Sequence, residues 1–160
     1  HQGLMKITLF FCAGNFAETT GVHHIHEMNG IGRRMPWTMV AFTMASLGMI
    51  GVPPLAGFIS KWYLATGALA ADKPWVIAIL VTSSLLNAAY FLPIIYRGWF
   101  REPANSVSTE SHAGLLETHW MLLIPPLITA LLALLAGVLA DAPFSPLEWA
   151  RLIAAREYRP

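Results

Sequence analysis

From Met35 to Ala71 the chain runs for 37 residues with a single charge, Lys61, and with two adjacent prolines near the middle. As one straight helix this stretch would be ~55 Å long, against ~30 Å for the hydrocarbon core of a bilayer. Gly48, Gly51, Pro53, Pro54 and Gly57 all fall within ten residues. Paired prolines remove backbone donors and clash with the preceding turn. The pattern predicts two half-helices, about 36–50 and 58–71, joined by an unwound hinge containing Gly51, Pro53, Pro54 and Gly57. Non-helical backbone at membrane depth is tolerated only inside protein or beside a wet cavity, and transporters place such broken helices at their ion sites. Two tilted helices forming a hairpin are the alternative.

The rest of the chain fits the same solvent. Hydrophobic residues make up 56% and charged residues 12%, compared with roughly 45–50% and about 25% in soluble domains, and mean hydropathy is +0.54. Net charge is +1 with the ten Lys and Arg scattered, which argues against a nucleic-acid partner. Apolar blocks at Gly3–Ala17, Trp75–Tyr96 and Trp120–Leu139 read as further membrane helices, with Pro93 kinking the end of the second. Thr82, Ser83, Ser84 and Asn87 give that helix a polar stripe suited to a protein neighbour. The expected fold class is all-α, a polytopic transmembrane helix bundle with one discontinuous helix. Residues 1–140 form the membrane helices. Residues 141–160 form an interfacial amphipathic tail, opened by the capping pattern Ser145, Pro146, Glu148. The chain begins at His1 without an initiator Met and reads as the later part of a longer protein.

Lys6 and Lys61 each lie ten residues from the end of an apolar helix, which puts both ~15 Å below a surface and near the bilayer midplane. An ionisable group there is costly and marks a functional site by default. Placed in the first turn of its half-helix, Lys61 meets both desolvation and the positive end of the helix dipole. These suit an amine that gains and loses a proton. A static ion pair with an acid elsewhere is the other reading. His1 stands five residues before Lys6, about 140° around a helix, and can still face the same cavity. The cluster His23, His24, His26 and Glu27 lacks the spacing of a helical zinc site. No metal and no cofactor is expected, nor any catalytic group for covalent chemistry, and Cys12 reads as packing.

The run His1-Gln-Gly-Leu-Met-Lys6, then Gly30-Ile-Gly-Arg-Arg-Met-Pro36, and Gly51-Val-Pro-Pro-Leu-Ala-Gly-Phe-Ile-Ser-Lys61-Trp, resembles the antiporter-like proton-translocating membrane subunits. This family is shared by respiratory complex I and the Mrp-type multisubunit sodium/proton antiporters, and the wording is nearest to the D-type Mrp subunits. The resemblance covers residues 1 to about 101. It implies the last four of fourteen membrane helices, with Lys61 as the lysine of the second broken helix and Lys6 as the lysine that relatives write H-x-x-x-K. It also implies a proton path through Lys61, Lys6 and His1, partner membrane subunits in a hetero-oligomeric complex, H+ and Na+ as transported ions, and a bacterial plasma-membrane location. A complex I-type or hydrogenase-type pump subunit is the alternative, and a purely structural scaffold is a third.

Overall fold

A computed structural model describes residues 2–102, 117–140 and 145–157. Every regular element among the described residues is a helix, with no strand. The order is α1 (Gln2–Thr20), a 3-10 turn (Ile25–Met28), α2 (Ile31–Arg34), α3 (Pro36–Ile50), α4 (Ala56–Ala70), α5 (Trp75–Phe100), α6 (Trp120–Val138) and α7 (Pro146–Glu157).

Two of these, α5 and α6, are long and apolar enough to cross a membrane. At 26 residues α5 is ~39 Å long. It runs through Pro93 and on to Phe100, four residues beyond the end predicted from sequence. The first apolar block likewise continues to Thr20 as α1.

The interior is built by α1, α3 and α6, which pack on one another, with α5 laid against α3 and α4 against α5 and α6. Cys12 and Phe16 of α1, Met39 and Phe42 of α3, Phe91 and Ile94 of α5 and Ala130 of α6 form one buried cluster. Phe42 links two neighbours, with ring centroids 6.1 Å from Phe16 and 6.4 Å from Phe91. Small buried residues, Ala41, Ala45 and Ser46 on α3 and Ala130, Ala133 and Gly137 on α6, let the backbones approach. Such surfaces drive helix association where no hydrophobic effect operates.

Two prolines inside α6 explain one buried amide. Pro126 has no N–H to offer the carbonyl of Leu122, four residues earlier, and Asn15 of α1, buried, donates to that carbonyl at 2.8 Å instead. Thr8 and Thr129 join the same two helices through their hydroxyls at 2.8 Å.

The start of α3 is capped from outside its own sequence. Met35 supplies no side-chain cap, and Glu117 reaches in from the segment before α6. Its carboxylate accepts from the backbone N–H of Trp37 (2.7 Å) and Thr38 (2.6 Å) and from the Thr38 hydroxyl. An anion at that end complements the helix dipole.

Candidate functional site

Between Ile50 and Ala56 the backbone leaves the helix. Gly51 closes α3 at φ +94°, a left-handed geometry that favours glycine, and the N–H groups of Gly51 and Val52 both return to the carbonyl of Leu47. That leaves the carbonyls of Met49 and Ile50, the last residues of α3, without an intrahelical partner.

Lys61 supplies the partner. Helix α4 starts at Ala56, which puts Lys61 in its second turn, and a helical side chain leans toward the N-terminus of its own helix. Its Nζ donates to the carbonyl oxygens of Met49 (3.2 Å) and Ile50 (2.9 Å) and to Ser84 Oγ of α5 (2.6 Å). The sequence places this lysine in the first turn, at the positive end of the α4 dipole. The structure overturns that placement: the amine lies at the negative end of α3, where a cation is favoured. No Asp, Glu or His occurs in α3, α4, α5 or α6, so neutral oxygens meet the charge.

Close backbone approach holds the break. A side chain at Gly57 would collide with the carbonyl of Gly48, and one at Gly137 of α6 with the carbonyl of Pro54. One at Gly51 would crowd the Lys61 stem, 3.0 Å from its Cδ. Pro53 and Pro54 themselves are exposed, while Leu55, Ala56 and Gly57 are buried.

Lys6 is not brought to this cluster. It lies on the exposed side of α1, opposite Met5, Thr8 and Cys12, and makes no hydrogen bond or ion pair among the described residues. His1 lies outside the described residues.

Of the polar stripe on α5, only Ser84 turns inward to the lysine. Thr82 and Asn87 hydrogen-bond within α5, to the carbonyls of Ala78 and Ser83. In the loop after α1, the Glu27 carboxylate caps the 3-10 turn by accepting from the N–H groups of His23 (3.1 Å) and His24 (3.2 Å). No metal-holding group is present among the described residues.

Sequence reasoning did not find Gly137, Glu117 or the partner of Asn15. Gly137 and Glu117 act on elements far away along the chain, and no local pattern marks them. The pair Pro125, Pro126 did carry a signal, because each proline orphans a carbonyl that a buried amide or hydroxyl must reach.

Apolar helices of spanning length and an amine held against a helix end agree with the membrane family that the sequence matches. The chain belongs to the NADH:quinone oxidoreductase/Mrp antiporter transmembrane family, whose profile matches residues 1–87. It is similar to the N-type subunit of the NADH-quinone oxidoreductase of Desulforudis audaxviator, 46% identical over 62% of this chain and 20% of that protein. It is also similar to the D-type subunit of the Na(+)/H(+) antiporter of Bacillus subtilis, 30% identical over 86% of this chain and 27% of that protein. The chain thus spans about a fifth to a quarter of the length of these relatives. In fold it matches a chain of the Mrp complex from a Dietzia species with a TM-score of 0.78 and 22% identity, covering 98% of this chain and 36% of that one.

Proposed function

We propose that this chain forms membrane helices of a subunit in a multisubunit monovalent cation (Na+)/proton antiporter, with Lys61 taking up and releasing the proton. Helices α3 and α4, with the 51–55 break between them, act as two halves of one broken membrane crossing, and Gly51, Pro53, Pro54 and Gly57 are its hinge. Together with α1, α5 and α6 they make a polytopic bundle of four crossings within residues 1–140. Helix α7 belongs to the tail, residues 141–160, and lies at the membrane surface with Trp149, Leu152 and Ile153 toward lipid. The subunit works in the plasma membrane of a bacterium, among other membrane subunits of a hetero-oligomeric complex.

One observation carries this reading: among the described residues the ammonium of Lys61 has no carboxylate partner and rests on two helix-end carbonyls and a hydroxyl. A static ion pair would need an acid. On deprotonation a lysine held by neutral oxygens breaks no ion pair and keeps two of its three N–H donors, and its four-carbon stem lets the head move. Lys6, on the exposed flank of α1, continues the path across the midplane together with His1.

The match at 46% identity to a subunit of an NADH-quinone oxidoreductase favours a second reading, a proton-pumping membrane subunit whose redox chemistry sits on partner subunits. Both readings give Lys61 the same local role.

The test is proton flux in inverted vesicles holding the complete complex, with Lys61→Ala against the unsubstituted subunit at matched assembly. Loss of flux by tenfold or more is expected. Full flux with normal assembly would sink the proposal. Flux driven by a sodium gradient identifies an antiporter, and flux driven only by quinone reduction the second reading.

A further inference from the structure

We infer that the carbonyls of Met49 and Ile50 and the hydroxyl of Ser84 form a binding site for a free monovalent cation, which the Lys61 ammonium occupies in the present structure. This deepens the proposed function, resting on its reading of Lys61 as a proton carrier, and it names the cation's place.

Three oxygens from two separate helices converge on one point, at 3.2, 2.9 and 2.6 Å from Nζ. Two of them are helix-end carbonyls that need a donor or a cation whatever Lys61 does. The negative end of the α3 dipole adds its field at the same point, and helix C-termini with unwound carbonyls are a recurrent way of coordinating Na+ or H+ at membrane depth. Gly51 keeps the approach open, because a Cβ there would sit 3.4 Å from the amine.

The donor set also decides the charge of the ligand. Divalent ions take carboxylates or keep their water, and α3 to α6 offer no carboxylate. Neutral oxygens that already hold one positive charge suit a second bearer of a single charge, an alkali ion or ammonium. The other titratable groups of the helices around this point do not compete. Tyr63 of α4 bonds Arg151, and Tyr90 and Tyr96 of α5 face outward.

The charge balance of an exchange is then simple. The Lys61 ammonium gives its proton to water and becomes a neutral amine, the stem withdraws, and one cation enters the three-oxygen cradle. The cradle carries +1 before and after the exchange, so a proton and a cation exclude each other there.

The experiment uses the complete complex carrying Lys61→Ala, with thermal unfolding followed in sodium, potassium or ammonium chloride against choline chloride at equal ionic strength. A ligand that binds only the folded state raises the midpoint as its concentration rises. The expected result is a concentration-dependent rise for at least one of the three cations in Lys61→Ala. The unsubstituted protein, where the Lys61 ammonium competes for the cradle, should show a smaller rise, and Lys61→Ala with Ser84→Ala should lose it. If Lys61→Ala does not assemble, Lys61→Ser leaves the same cradle open and is measured in its place. Absence of any rise, an equal rise in the double variant, or a variant that none of the three cations lets assemble overturns the inference. Since no flux is read, the cradle can fail while Lys61 remains a proton carrier, and the reverse.

Discussion

Asn15 of α1 is 2% exposed, and its amide donates to the Leu122 carbonyl that Pro126 leaves free. Asn15→Ala is expected to leave that carbonyl unpaired and to cost about 1–2 kcal/mol, measured as a lower unfolding midpoint of the complex. Asn15→Gln, which can still donate, should recover part of it, and equal loss in both variants would refute the pairing. Glu27 gives a pH prediction. The N–H groups of His24 and then His23 hold its carboxyl below the ordinary carboxylate range. A depressed folded value means that the turn's added stability is fully present above the ordinary carboxylate pKa and is lost as pH falls through the lower folded one. Amide exchange at His23 and His24 in the intact protein should accelerate over that acid window beyond its intrinsic pH trend, whereas Glu27→Gln should lack the transition. Lys61 itself was legible from apolar context alone. Its dipole partner was not, because the direction of a side chain depends on where its helix starts, and Ala56 begins α4 two residues before the predicted boundary.

At the scale of elements, the two half-length helices and the non-helical stretch between them were legible because glycines and prolines concentrate there, and each has a backbone reason to end a helix. What packs on the break was not legible. Gly137 lies 83 residues from Pro54 in the chain, and nothing in a Leu- and Ala-rich helix distinguishes a glycine that contacts backbone from one that faces lipid. The structure makes that distinction testable with three glycines. Gly57→Ala and Gly137→Ala place a methyl against backbone, which cannot yield as a flexible side chain does. Both should lower assembly and flux severalfold. Gly67, in the same helix as Gly57, has open space around it. There, alanine should be neutral or stabilise by about 0.5–1 kcal/mol through helix propensity. Equal behaviour of all three variants in assembly assays would show that α3, α4 and α6 do not meet at the break. The far end of α3 gives the same lesson from the opposite charge. Glu117 caps its start and Lys61 its end, so both ends of the helix dipole are complemented by residues that no local pattern connects with α3.

For the whole molecule, hydropathy foretold an apolar helical chain, since composition reports the solvent directly. Which side of each helix meets protein is set by contacts that composition does not encode. The long helix α5 shows the consequence. Its inner side carries Phe91, Ile94 and Gly98 against α3 and α2, with Trp99 donating to the Thr43 hydroxyl at 3.0 Å. Its outer side leaves Leu85, Leu86 and Tyr90 more than half exposed, with Leu86 at 67%. A contiguous apolar face of this kind in water would drive aggregation, so it must meet lipid or further protein. A spin label at Leu86 is expected to be more accessible to oxygen, which concentrates in hydrocarbon, than to an aqueous nickel complex, while a label at Ile94 should be shielded from both. The native Cys12 is buried and leaves little background labelling. Low access to both reagents at Leu86 would mean that further protein covers α5. Greater access to nickel than to oxygen would place α5 in water and refute the membrane crossing on which the proposed roles of Lys61 and Lys6 depend.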